Sequence, residues 1–162
     1  MSKRLIIMRH AKSSWTSGAA TDHQRPLNKR GRRAAPRVGA RLWDLGWIPD
    51  LVIASDSERT RETWQHMRAE FPHPIEEQFS SAFYHGGQAA IANACTTLTE
   101  DISTLLVLGH NPGWEDAVAD LSGQWIRMTT ANAALLESDA DDWAEVMEAN
   151  WVLVEMLRPK EL

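Results

Sequence analysis

Short apolar runs alternate along this chain with longer stretches whose apolar residues recur every three or four positions. Leu5–Met8 is four apolar residues in a row, enough for a buried strand. Residues 11–27 carry Ser13, Ser14, Ser17, Gly18 and Pro26 and read as a loop. Over 29–45, Ala34, Val38, Leu42 and Leu45 fall on one helical face; Gly46 stops that helix and Pro36 is an internal blemish. Leu51–Ala54 is a second strand. Ser55–Phe71 is the next helix, with Ser55 or Ser57 as its N-cap and Pro72 and Pro74 closing it. Ile75–Phe79 makes a third strand, 87–98 an Ala-rich helix and Thr104–Leu108 a fourth strand. Pro112–Leu121 is a helix with proline near its start. Thr130–Leu136 and Asn150–Leu157 are two closing strands joined through the acidic stretch 137–148. Strands alternating with helices predict the α/β class: a three-layer α/β/α sandwich around a mostly parallel, mixed sheet of about six strands.

Composition narrows the picture. The chain has 162 residues, 43% hydrophobic and 24% charged, which suits one domain over 1–162. Cys95 is the only cysteine, so a disulfide framework and a cysteine-built zinc site are excluded. No apolar run approaches a membrane span. Lys3 and Arg4 precede only four apolar residues, too few for a signal peptide, and the expected location is the cytoplasm, with no membrane partner. The formal charge of −5 argues against a nucleic-acid partner. That average hides an asymmetry. Residues 1–68 carry 14 of the 17 Lys and Arg and 6 of the 22 Asp and Glu, a formal +8. Residues 69–162 carry the other 3 and 16, a formal −13. A basic first part on an acidic protein points to an anion held locally.

In sheets of this kind ligands gather beyond the carboxyl ends of the strands. Arg9-His10 follows the first strand, Ser55 and then Arg59 the second, and Gly109-His110-Asn111-Pro112 the fourth. Two histidines and two arginines thus reach one rim. Guanidinium forks match phosphate oxygens and neutralise a transferring phosphoryl group. Their charge also disfavours imidazolium, which keeps a histidine neutral and nucleophilic. His10 is the better nucleophile candidate. His110, at the mouth of a helix, suits an anion-binding donor.

These residues carry a resemblance. Leu5-Ile6-Ile7-Met8-Arg9-His10 resembles the Arg-His-Gly opening of the histidine phosphatase (phosphoglycerate-mutase-like) superfamily. Ser55 to Thr63 is similar to its Ser-x-x-x-Arg-x-x-x-Thr segment, and Leu108 to Gly113 to its second-histidine segment. Asp22 to Gly31, with Arg25-Pro26-Leu27, is similar to its Arg-Pro-Leu-…-Gly stretch. The motifs span the chain in family order. The Arg-His-Ala-Lys-Ser opening and the Trp151…Leu157-Arg158-Pro159 ending resemble the SixA-type phosphohistidine phosphatases. The resemblance implies His10 as phospho-accepting nucleophile, Arg9, Arg59 and His110 as a phosphate pocket, and Arg25 as a further basic residue near it. It implies no metal and no organic cofactor, and a phosphohistidine-bearing protein (a phosphotransfer domain or a carrier) as substrate and partner. Oligomeric state is left open.

Two departures stand out. Ala11 replaces the signature glycine, with a less free backbone. No carboxylic acid occupies Ala82 to Gly87, where a proton donor for an alcohol would be expected; Glu58 and Glu115 remain candidates. An alkoxide leaves badly without a proton, whereas an imidazole leaving a phosphorus–nitrogen bond asks for less. The absent acid therefore favours phosphohistidine over a phosphomonoesterase of small metabolites, the first alternative, and argues against a mutase. A non-catalytic phosphate- or phosphohistidine-binding module is the second alternative. Lys12 is read either as a phosphate contact or as a solvated lysine. Tyr84 and His85 are read first as loop packing and second as a border of the substrate site, Arg61 as surface and Cys95 as core. Trp15 and Trp114, five and four residues after His10 and His110, are read as walls of the site. The basic helix Lys29–Arg41 reads first as a solvated face and second as a docking surface for an acidic protein.

Overall fold

The computed structural model describes residues 2–162. One six-stranded sheet runs through it. Its strands are β1 (Lys3–Arg9), β2 (Leu51–Ser55), β3 (Glu76–Ser80), β4 (Thr104–Gly109), β5 (Ala133–Ser138) and β6 (Trp151–Leu157). The order across the sheet is β3-β2-β4-β1-β5-β6. Pairing is parallel from β3 to β1 and antiparallel for β5 and β6. The helices are α1 (Lys29–Asp44), α2 (Glu58–Arg68), α3 (Gln88–Cys95) and α4 (Gly113–Ser122).

Strand alternation sorts the central residues into two cores. Leu5, Ile7, Ile53, Leu105 and Val107 face α3 and α4, in one cluster with Ile91, Trp114 and Val118. Ile6, Met8, Val52, Ala54, Leu106 and Leu108 face α1 and α2, with Val38, Leu42, Trp64 and Met67. The central strands are buried on both sides, which is why they read as unbroken apolar runs rather than alternating ones.

Three boundaries differ from expectation for identifiable reasons. The second helix begins at Glu58, because Ser55 still belongs to β2 and its hydroxyl is committed to the Ser57 amide and to His110. β5 begins at Ala133, because a turn intervenes in which Asn132 N donates to Thr129 O and Ala131 has φ +62°. The acidic stretch 137–148 is more than a surface link. Trp143 and Val146 from it are buried beneath the sheet end with Trp151, and Trp143 Nε1 donates to Ile102 O at 2.6 Å.

The loop after β1 is pinned to α1. Asn28 caps α1 through Oδ1 to Gly31 N, and Asn28 N donates to Lys12 O. A Cβ on Gly31 would stand 2.1 Å from Lys12 O, so only glycine lets the helix come this close. No helix among the described residues is long and apolar enough to cross a membrane.

Candidate active site

At the carboxyl rim of the parallel strands lies a cavity of about 260 Å³. Arg9, His10, Lys12, Arg25, Arg59 and His110, the six residues singled out from sequence, all line it. Each arrives by a different local route. His10 leaves β1 with its amide donating to Gly109 O, which ties the ends of β1 and β4 together. Arg59 stands on the first turn of α2, directly after β2. His110 follows β4 and precedes α4.

His10 Nδ1 donates to Ala11 O at 2.7 Å. That bond fixes the tautomer and leaves Nε2 with its lone pair. His10 is 6% exposed, and burial, with His110, Arg59 and Arg9 nearby, pushes its pKa down to about 3. It is a neutral base at physiological pH. His110 lies 5.0 Å away, ring centre to ring centre. Its Nε2 bonds Ser55 Oγ at 2.9 Å, with Ser57 Oγ and Thr60 Oγ1 at 3.3 Å, and Arg59 Nη2 approaches Nδ1 at 3.5 Å. Burial and then Arg59 push the His110 pKa down to about 3 as well.

The cations are held by backbone and by one carboxylate. Arg9 Nη1 donates to Met128 O at 3.0 Å. Arg59 Nη1 donates to Asp22 O at 2.8 Å and Nη2 to Asp22 Oδ2 at 3.1 Å. The Nε atoms of Arg9 and Arg59 are buried without a partner. Arg25 donates Nε to Asp22 Oδ1 and Nη1 to Ser13 Oγ, and stacks 3.5 Å over the Trp15 ring. Tyr84 OH donates to Asp22 Oδ2. That bond, with Arg25 and Arg59, holds the Asp22 carboxyl well below the usual range, so it stays ionised.

Several expectations change here. Tyr84 and His85 line the cavity rather than merely packing a loop. Tyr84 is seated 5.3 Å from His110 and 5.8 Å from the Arg59 guanidinium. Trp15 is a wall, but Trp114 is not: it is fully buried under Gly109, its Nε1 donating to Val107 O. A Cβ on Gly109 would meet that indole at 2.6 Å, which explains the glycine before His110. Ala11 needs no glycine freedom, since among the described residues Ala131 alone has positive φ without being glycine, and the Ala11 methyl is buried in the α1–α2 core. Asp22 escaped the sequence reading, although it opens the Arg-Pro-Leu stretch. Glu58 is exposed, and Glu115 accepts from Met128 N at 2.7 Å; neither lines the cavity. Arg61 is exposed over Phe79, and Cys95 is buried in the core with its thiol pushed up to about 12 by burial.

Residues 5–79 match the histidine phosphatase superfamily, branch 1. The chain belongs to the histidine phosphatase superfamily. It is 40% identical over 172 residues to an uncharacterised chloroplastic protein of Arabidopsis thaliana, covering 98% of this chain and 79% of that one. It is 30% identical over 154 residues to an uncharacterised protein of Mycobacterium tuberculosis, covering 86% and 91%. Among solved structures, a Nakamurella multipartitia protein carrying the name phosphohistidine phosphatase SixA superposes with a TM-score of 0.87 at 27% identity, over 98% of this chain and 97% of that one. The mixed six-stranded sheet is the superfamily's fold.

Proposed function

We propose that this histidine phosphatase removes phosphate from a phosphorylated histidine on a protein, through a phospho-His10 intermediate. One observation carries the reading. The cavity lining presents a neutral histidine and four cationic side chains, and no carboxylate. An alcohol leaving group needs an acid to protonate it. Glu58 and Glu115 lie elsewhere, and Asp22 is held ionised. A departing imidazole makes no such demand. The likeness to a protein named phosphohistidine phosphatase supports the same substrate class.

In the reaction, His10 Nε2 attacks the phosphorus as the substrate's phosphorus–nitrogen bond breaks. The substrate imidazole keeps the electron pair and takes its proton from solvent. Arg9 and Arg59, whose Nε atoms lack acceptors, donate to the phosphoryl oxygens. The phosphoryl charge favours the His110 imidazolium, which joins as a further donor. Lys12 and Arg25 hold the substrate at the mouth. Water then attacks phospho-His10, the bond to Nε2 breaks, and inorganic phosphate leaves. These steps draw on no metal or organic cofactor, so a chelator leaves the rate unchanged.

Turnover of a phosphohistidine protein, measured for the parent and for His10→Ala, tests this. The variant is expected to lose about 10⁴-fold or more. Undiminished turnover by the variant overturns the mechanism. Parent turnover of sugar phosphates as fast as of phosphohistidine overturns the substrate assignment in favour of a phosphomonoesterase. Phosphohistidine binding without turnover reduces the protein to a reading module.

A further inference from the structure

A second basic depression adjoins the cavity. It is a trough of about 590 Å³ that shares Arg9, Lys12 and Thr130 with it. Arg30, Arg127, Arg158 and Lys160 complete its charge, against the single carboxylate of Glu161. Arg127, Arg158 and Lys160 are the only three Lys or Arg in residues 69–162, a region that carries 16 Asp and Glu. All three converge on this trough. The acidic residues nearby in sequence go elsewhere: Asp139, Glu145 and Glu148 lie around a separate depression beyond the far end of β5.

A second observation points to a ligand. Asn132 lines the trough, is fully buried, and has no partner for Nδ2. Its Oδ1 already accepts from Thr129 N and from Arg158 Nη1. The trough thus offers a spare amide donor beside cations none of which has a carboxylate within ion-pair distance among the described residues; Arg9 bonds Met128 O and Arg158 the Asn132 amide oxygen.

The helix Lys29–Arg41 is not itself this surface. Of its charged residues only Arg30 lines the trough; Arg32 bonds Leu27 O, and Arg37 and Arg41 line a different groove with Asp44, Glu155 and Glu161.

We infer that the trough docks an acidic segment of the substrate protein adjacent to its phosphohistidine. The inference rests on the proposed function, which places the phosphorylated side chain in the adjoining cavity. Chain leaving that side chain crosses Lys12 and Thr130 straight into the trough. The cations come from the β1 end, α1, the segment before β5 and the residues after β6. Spread in this way, they suit several carboxylates along an extended segment better than one compact phosphate.

The test compares two phosphohistidine peptides, one flanked by Asp and Glu and one by Ser and Gly. The parent protein is set against Arg30→Ser/Arg127→Ser/Lys160→Ser, whose fold is checked by its melting curve. At low salt the parent is expected to favour the acidic peptide about tenfold in kcat/KM, through KM, and to lose the preference as salt rises. The triple variant should lose the preference and stay within about twofold of the parent on the neutral peptide. Absence of the preference in the parent, or its survival in the variant, overturns the inference. If neither peptide is hydrolysed, the proposed function fails, and fluorescence anisotropy with the unphosphorylated acidic peptide decides the trough alone. Binding that the triple variant loses supports it; no binding, or tighter binding of an oligonucleotide or a bisphosphorylated sugar, overturns it.

Discussion

The two ends of the sheet treat their polar groups in opposite ways. At the far end, where the parallel strands begin, each buried polar side chain among the described residues has a partner. Lys3 Nζ donates to Ile102 O and lies 5.7 Å over Trp143, Trp143 and Trp151 donate to backbone carbonyls, and Asp50 accepts from Ser103 N and Thr104 N. At the site end the accounts are left open. Among the described residues the buried side-chain atoms without a partner are Arg9 Nε, Arg59 Nε and Asn132 Nδ2, all N–H donors at that rim. Two histidines there are held neutral by burial. One end closes the fold. The other is kept short of acceptors, a standing cost that an oxyanion would relieve.

The contrast can be broken from either side. The largest effect is expected at the far end. Trp143→Ala should lower stability by about 3–5 kcal/mol, read by denaturant unfolding, because it empties a buried indole site and leaves Ile102 O with Lys3 Nζ as its remaining side-chain donor. Its turnover per folded molecule should match the parent. Next comes Arg59→Met, expected to cost about 10²–10³ in kcat while the melting temperature holds or rises, since the lost bonds to Asp22 are offset by removal of a buried charge whose Nε has no partner. A large drop in melting temperature would mean that Arg59 serves the fold first. The smallest effect is a pH slope. His10 and His110 have folded pKa values near 3, below the ordinary 6.5, so the unfolded chain binds more protons between those values. Their contribution is therefore complete above about pH 6.5 and is lost as pH falls toward 3, by about 2 kcal/mol for each histidine between pH 7 and pH 5. Unfolding midpoints across that range, compared with His10→Gln, check it; an unchanged slope in the variant would remove His10 from the account.

Much of the fold was legible because β1, β2 and β4 are sandwiched between helices and so carry apolar residues on both faces along their middles, with polar ones only at their ends. Arg9, His10, Arg59 and His110 were legible for a related reason: each lies within a few positions of such a strand's end, where the topology delivers it to the rim. What was hidden depends on contacts across the loops. Asp22 stands 37 residues from Arg59 and 62 from Tyr84, and only the folded loop shows that it braces both. Ser55 looks like a helix cap by type, yet its hydroxyl serves His110. Trp114 has the spacing of a wall residue, but α4 turns it inward under Gly109. Thr130 extends an apolar-looking strand on paper, and the left-handed backbone at Ala131 ends that continuity.

The strand order also governs how this molecule is made. β1 is the first of the six strands to be made, yet it sits in the middle of the sheet. Leu5 pairs with Leu105 on one side and with Leu136 on the other. Neither neighbour exists until about two thirds of the chain has been synthesised. Until then the apolar run Leu5–Met8, with the Arg9-His10 pair at its end, waits without a partner on either edge. A chain with such distant pairings folds slowly and late, and the exposed β1 is the segment a holding chaperone would seize.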